Sequence, residues 1–443
     1  MAESMHADVL VVGAGPTGSY LGWKLAEAGC DVLLLEALPL EKVGAHIEVI
    51  HLDKIRFDEF DIPHPRPPEL LHLVSANKVW SIDGSEHFRV EYPFYVTNMP
   101  AFVQRLHDYV RHAGGRVIES ARVGDVIIDR GFCRGVRGTR RGRPFEARAR
   151  VTVDASGIAG AVRTRLPDDF GVENCPVPPE QTYYCALELR DEIPAGFPTD
   201  NNSFLGMPGF WNKSYGDGAI LGIIAPGSKD NAWNALTQWR EATFGNPGRL
   251  VAKRVGCSPY RRAPASYVGN GFAAVGDCVY QNKAFSGEGI TSGFTACRIA
   301  EKVIREALAK DDVSQKGLWE YNVRYSRGQG AKFAGVMVFL FPVNGLPKHE
   351  VDYLYQHQII FCQKDYEYLN LNYELDLPPD RWEAICQQLK KGVLDGAFSE
   401  QSLQLMNTLY GYSNQLRAHY LAYPATPEGL PGWRTTAERL WGY

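Results

Sequence analysis

Asp8-Val9-Leu10-Val11-Val12-Gly13-Ala14-Gly15-Pro16-Thr17-Gly18 is the stretch on which the reading of this chain turns. Asp8 to Val12 is a short apolar run rich in β-branched residues, the pattern of a strand buried on both faces. Ser19 to Ala28 reads as a helix ending at Gly29, and Asp31 to Glu36 as a second buried strand. A GxGxxG match alone is weak, but between a strand and a helix each glycine has work to do. Gly13 allows the tight turn, Gly15 lets backbone approach a pyrophosphate, and Gly18 lets helix and strand pack closely. The helix N-terminus, with Pro16 and Thr17, offers free N–H groups and positive potential to phosphates. Glu36 ends the second strand, where its carboxylate can accept hydrogen bonds from ribose hydroxyls and disfavours a 2′-phosphate. The unit therefore predicts a dinucleotide site for NAD or FAD rather than NADP.

A distant segment separates the two. Val275-Gly276-Asp277 ends another strand, and Ser286-Gly287-Glu288-Gly289-Ile290 is a Gly-rich turn opening a helix from Thr291 to Ala309. A carboxylate at Asp277 suits a polyhydroxyl chain, and a helix N-terminus suits the pyrimidine edge of a flavin, whose reduced form is anionic there. NAD has no part that needs this second anchor.

The rest of the 443 residues sets bounds on class. A net charge of 47 − 51 = −4 gives no general attraction to nucleic acid. The start of the chain has no basic n-region, and Phe333 to Val343 is apolar but too short to span a bilayer. Nine scattered cysteines without a CxxC point to neither a disulfide framework nor a metal site, and to a reducing, cytoplasmic setting, free or at a membrane surface. Exposed strands are expected from Lys78 to Tyr92 around Asp83-Gly84, and a helix through Phe102, Leu106 and Val110. A meander follows, of Val123–Asp129, Phe132–Val136 and Phe145–Val153. Cys175 to Arg262 is β-rich with one helix near Trp233 to Thr243, and the last hundred or so residues are helical and aromatic. Seven arginines between Arg134 and Arg150, interleaved with Gly135, Gly138 and Gly142, read as the solvated turns of the meander.

The three motifs Val11–Gly18, Val153-Asp154-Ala155-Ser156-Gly157 with Val162-Arg163, and Val275–Asp277 with Ser286–Ile290 resemble, in order and spacing, the FAD-dependent group that includes p-hydroxybenzoate hydroxylase. Within it the chain looks most like the geranylgeranyl reductase family, over residues 7 to 335. The resemblance implies an α/β fold in which a Rossmann-type FAD domain (1–75, 99–165 and 265–335) carries an inserted antiparallel β-sheet substrate domain (76–98 and 166–264). Residues 336–443 form a helical C-terminal region. It implies FAD contacts from Gly13, Gly15, Pro16, Thr17, Gly18, Glu36, Ala37, Val123, Gly276, Asp277, Gly287, Glu288, Gly289 and Ile290.

The chain also departs from that family. Tyr95 to Phe102 lacks the family's arginine, Val43 to Glu48 lacks its cysteine, and Gly209-Phe210-Trp211-Asn212-Lys213 only echoes an aromatic–Pro–Lys motif. Polar residues stand where these departures fall. His46 is a candidate proton donor, substrate ligand or flavin tether, with Glu48 and His51 in the same segment. Lys283 is a candidate cation beside the flavin. Trp211 and Tyr215 are candidate walls for the substrate, and Asp154 is expected to shape the turn near the cofactor. No second GxGxxG follows a strand, so the external electron donor or acceptor either visits the flavin transiently or is another redox protein. The function expected is reduction or dehydrogenation at carbon–carbon bonds of a largely apolar substrate by hydride transfer at flavin N5. A flavin monooxygenase of the hydroxylase type is the alternative on the same fold, and a silent electron-relay flavoprotein a third.

Overall fold

The computed structural model describes residues 3–192, 201–206, 209–215, 218–283 and 285–442. The strand Glu3–Val12 lies at the centre of an eight-stranded sheet. It pairs in parallel with Val32–Leu35 on one side and Arg143–Asp154 on the other. Arg116–Ile118 and Phe272–Ala274 extend the parallel set outward. Val9, Leu10 and Val11 are fully buried, as the unbroken apolar run requires. The crossover helix spans Pro16–Glu27 and packs on Met99–His112 and Ile290–Ala309. It starts three residues ahead of Ser19 because Pro16 at its first turn has φ already set for a helix.

The expected meander is present as Ala121–Asp129, Phe132–Arg140 and Arg143–Asp154, and its last strand doubles as a member of the parallel core. Its arginines are absorbed by surface ion pairs, Arg137 with Asp125, Arg140 with Glu3 and Arg150 with Asp311. Such exposed pairs add little stability.

A seven-stranded sheet runs in the order Leu250–Pro259, Thr182–Arg190, Gly218–Pro226, Gly209–Tyr215, Asn201–Phe204, Asn77–Trp80, His87–Val90. It is antiparallel except at one place: Asn201–Phe204 runs parallel to Asn77–Trp80. That pairing corrects the expectation of a wholly antiparallel insert. It arises because two remote chain segments, not one meander, build the sheet. A third sheet joins Val49–Asp53 and Leu70–Val74 to Phe94–Asn98, so a boundary drawn at residue 75 cuts through a sheet.

The C-terminal part is helical. Gln315–Tyr325 and Ala331–Asn344 are joined by a π-turn at Ser326–Gly330, and Lys348–Gln356 follows at a bend of 113°. No single helix among the described residues is long and apolar enough to cross a membrane. Val336, Phe339, Leu340 and Val343 are buried in one cluster with Val79, Val90 and Tyr92, so these helices cap the hairpin of the second sheet.

Candidate functional site

One cavity of about 1050 Å³ runs from the first glycine-rich turn to the underside of the second sheet. At its near end three glycines differ in what they need. A Cβ on Gly13 would lie 2.4 Å from the Ala155 carbonyl oxygen, and one on Gly18 would lie 1.9 Å from that of Gly13. Packing alone demands glycine at both. Gly15 is different. It caps the helix with φ −66° and ψ −178°, which any residue adopts, and a Cβ there would meet no protein atom within 4 Å. It borders the cavity, so the room it leaves is a cradle fitted to a phosphate at the helix N-terminus.

Glu36 shapes that cradle. Its two carboxylate oxygens accept the Ala14 and Leu38 backbone N–H groups, each at 2.9 Å. Each oxygen keeps a lone pair for a hydroxyl, and Glu36, Ala37 and Val123 line the same end of the cavity. The Ala14 carbonyl is held by Ser19 and by the buried His107 ring, 2.8 Å away. Asp154 accepts from the backbone N–H groups of Ser156, Val162 and Arg163, which fixes the turn at the cavity wall. Arg163 is fully buried and bonds the carbonyls of Cys278, Glu173 and Cys175, tying this turn to the second motif.

In that second motif Gly276 takes φ +78° and lies against Thr17, so the two motifs touch. Asp277 projects into the cavity, and its carboxylate receives no hydrogen bond from the described residues. Burial pushes its pKa up to about 6. A desolvated, unpartnered acceptor beside a run of backbone amides fits a ligand rich in hydroxyls. Gly287, Glu288, Gly289 and Ile290 border the same space, and the helix Ile290–Ala309 starts there.

A buried polar network forms the wall between this end and the second sheet. Lys283 is buried, and its ammonium donates to Asp53 at 2.7 Å and to Glu288 at 2.8 Å. Asp53 also accepts from Thr291 at 3.3 Å. Burial alone would lower the Lys283 pKa, but the two carboxylates raise it well above the ordinary lysine value, so it stays charged. The other Glu288 oxygen takes His51 Nε2–H, and His51 Nδ1 accepts from the ammonium of Lys213. This assignment follows from the partners, since a carboxylate needs the ring proton and an ammonium needs the ring lone pair. Burial pulls His51 down to about 4 and Lys213 down to about 8. Burial pushes Glu288 upward, but His51, Lys283 and Lys213 outweigh it and hold the carboxyl below its usual range.

Beyond the network the walls turn apolar. Phe94, Trp211, Ile220, Ile224, Phe341 and Leu369 line the cavity, with Asn344 and Asn370 at its C-terminal side. Gly222 makes room for Trp211, since a Cβ there would sit 2.2 Å from its ring. The side chain of Tyr215 lies outside the described residues.

The candidates from sequence fall in different places. His46 is exposed at the cavity edge, with partial desolvation lowering its pKa. Glu48 turns to Arg254 and forms an ion pair. Lys283 is enclosed by Asp53 and Glu288 rather than presented to the open cavity, and Glu288 likewise spends its carboxylate on protein groups. Lys213 stands in the segment that echoes the aromatic–Pro–Lys motif, but Asp53 and His107 carried no local signal, because each acts through a partner far away in sequence. Among the described residues no cluster of His, Cys, Asp and Glu could hold a metal ion.

Residues 11–82 match the model of an NAD(P)-binding Rossmann-like domain. The chain is 23% identical over 454 residues to a digeranylgeranylglycerophospholipid reductase of Sulfolobus acidocaldarius, covering 99% of this chain and 98% of the relative. It is 30% identical over 346 residues to digeranylgeranylglycerophospholipid reductase 1 of Methanopyrus kandleri, covering 72% of this chain and 86% of the relative. Among solved structures it resembles a geranylgeranyl bacteriochlorophyll reductase-like protein of Thermoplasma acidophilum. That likeness has a TM-score of 0.73 at 18% identity, over 88% of this chain and 98% of the other. It also resembles a flavin-dependent brominase, with a TM-score of 0.64 at 17% identity, over 87% of this chain and 100% of the other. A Rossmann unit joined to a second motif across one cavity, and relatives matched over most of their length, place this chain in the geranylgeranyl reductase family.

Proposed function

We propose that the protein binds FAD and reduces carbon–carbon double bonds in a largely apolar, polyprenyl-type substrate. The observation that carries this reading is the continuity of the cavity. It begins at the Gly15 cradle, passes the unpartnered Asp277 carboxylate, and ends between Phe94, Trp211, Phe341 and Leu369. Gly13, Gly15, Pro16, Thr17 and Gly18 would hold the pyrophosphate, Glu36 the ribose, Asp277 the ribityl hydroxyls, and the turn Gly287–Ile290 the pyrimidine edge. When bound, FAD supplies the hydride at N5. The chain's own part is to orient the substrate and keep water out. Burying about 200 Å² of apolar ligand would contribute roughly 5 kcal/mol before association costs. The reductase names of the relatives support this direction of electron flow.

The test is to extract and identify the flavin, then mix the reduced protein anaerobically with a digeranylgeranylglycerophospholipid. Reoxidation of the flavin with saturated lipid as product is the expected result. Product that forms only with oxygen, and carries a hydroxyl group, would replace this reading by the monooxygenase one.

A further inference from the structure

Lys213 sits in the substrate half of the cavity, buried, on the strand Gly209–Tyr215. Its ammonium has His51 Nδ1 as its single hydrogen-bond partner among the described residues, and no carboxylate touches it. The other cation of the network, Lys283, is bound on two sides by carboxylates. Lys213 instead lies 4.4 Å from the centre of the Trp211 ring and 5.4 Å from that of Phe94, two apolar walls of the cavity. One of its N–H bonds is taken by His51, which leaves N–H bonds free to face a bound substrate.

We propose that Lys213 is the proton donor of the alkene reduction, held in place by His51 and Glu288. This rests on the reading of the protein as an alkene reductase. The π electrons of the double bond form a new C–H bond with a proton from Nζ, and the Nζ–H bond breaks. The adjacent carbon, left electron-poor, takes the hydride of the reduced flavin. The alkene thus gains one proton and one hydride, and the neutral amine regains a proton from solvent. Three titratable groups act on Lys213. They are His51 from the strand Val49–Asp53, Glu288 from the turn before the helix Ile290–Ala309, and Cys185 from the strand Thr182–Arg190. Burial outweighs the support of Glu288 and Cys185, so the ammonium is a stronger acid than an ordinary lysine. His51 and Glu288 are positioning residues.

The experiment has two arms on the full-length protein. In the first, the chain is labelled at lysine Cε with ¹³C, and the resonance missing from Lys213→Met is followed with pH, with and without FAD. A midpoint near 8 is expected, and a midpoint at the ordinary lysine value would overturn the proposal. In the second, reduced protein is mixed with a digeranylgeranylglycerophospholipid. Lys213→Met should bind FAD as the wild type does and lower the reduction rate at least about 100-fold. Lys213→Arg keeps the charge but not a readily lost proton, so it should be equally slow. The wild-type rate should fall above about pH 8. A wild type that reduces the lipid while Lys213→Met or Lys213→Arg stays within twofold would overturn the proposal alone. A wild type that reduces no such lipid would overturn the reductase reading, and the proton-donor role with it.

Discussion

A Cβ on Gly289 would stand 2.3 Å from Oδ1 of Asp277, so the second motif needs glycine there to leave its carboxylate in place. Gly289→Ala should therefore act like a partial loss of Asp277. Both Gly289→Ala and Asp277→Ala are expected to weaken FAD about tenfold or more, in line with one lost charge-assisted hydrogen bond of about 1.5–3 kcal/mol. Flavin fluorescence titration reads this directly. Unchanged affinity in both would remove Asp277 from the cofactor site.

The same carboxyl predicts a pH dependence. Its pKa in the ligand-free protein is raised to about 6, so the group takes up a proton as pH falls from 7 to 5. A hydroxyl donor favours the ionised form, and at pH 5 only about one site in eleven is ionised. FAD affinity should fall about tenfold between pH 7.5 and pH 5. In Asp277→Asn the affinity should be lower and its slope much flatter. For folding without FAD the sign is reversed. A buried acid with raised pKa makes the native state hold more protons than the unfolded one, so its contribution to stability is lost as pH rises through 6.

Gly15 and Gly18 should separate binding from folding. A Cβ at Gly15 meets no protein atom within 4 Å, so Gly15→Val should fill the cradle, keep the far-ultraviolet spectrum and lose the flavin. Gly18→Ala drives a methyl group into the Gly13 carbonyl and should fail to fold or lose several kcal/mol in urea. A Gly15→Val protein that stays yellow would move the phosphate site elsewhere.

Lys283→Met leaves the buried Asp53 and the half-buried Glu288 without their shared cation. A loss of about 3–5 kcal/mol in urea unfolding is expected. Adding Asp53→Leu should restore part of it, because one of the two stranded charges is then gone. A double variant less stable than the wild type by the sum of the two single losses would argue against direct pairing.

The helix Ala331–Asn344 is tested by point changes, since Phe333, Val336, Phe339 and Val343 are core and truncation before Phe333 would strip that core. Phe341→Ala shortens a cavity wall. It should weaken an apolar ligand by about 1–2 kcal/mol with FAD content unchanged, read from the ligand's perturbation of the flavin spectrum.

What was legible in the sequence is what is local. Gly13 to Gly18 and Glu36 belong to one βαβ unit, where strand, turn and helix follow within a few residues of each other. Gly276-Asp277 and Gly287–Ile290 were legible for the same reason. The polar network was not, because His51, Lys213 and Lys283 come from three elements that meet only in the folded chain. His46, a candidate proton donor, substrate ligand or flavin tether, lies exposed in the turn before the strand Val49–Asp53, and His51 five positions on lies within that strand. A strand alternates its side chains between faces, so a short stretch rich in polar residues does not say which of them turns inward. The parallel pairing of the second sheet was hidden likewise, since Asn201 and Asn77 lie 124 residues apart.

That pairing also sets a schedule for synthesis. The strand Asn77–Trp80 leaves the ribosome with one edge satisfied by His87–Val90 and the other open until Asn201–Phe204 arrives. With 124 residues between Asn77 and Asn201, at about 5–20 residues per second, the open edge lasts roughly 6–25 s. An unpaired edge invites pairing with a neighbouring nascent chain. Dense polysomes or slow codons between these strands should therefore lower the yield of active protein, and a chaperone that shields strand edges should restore it.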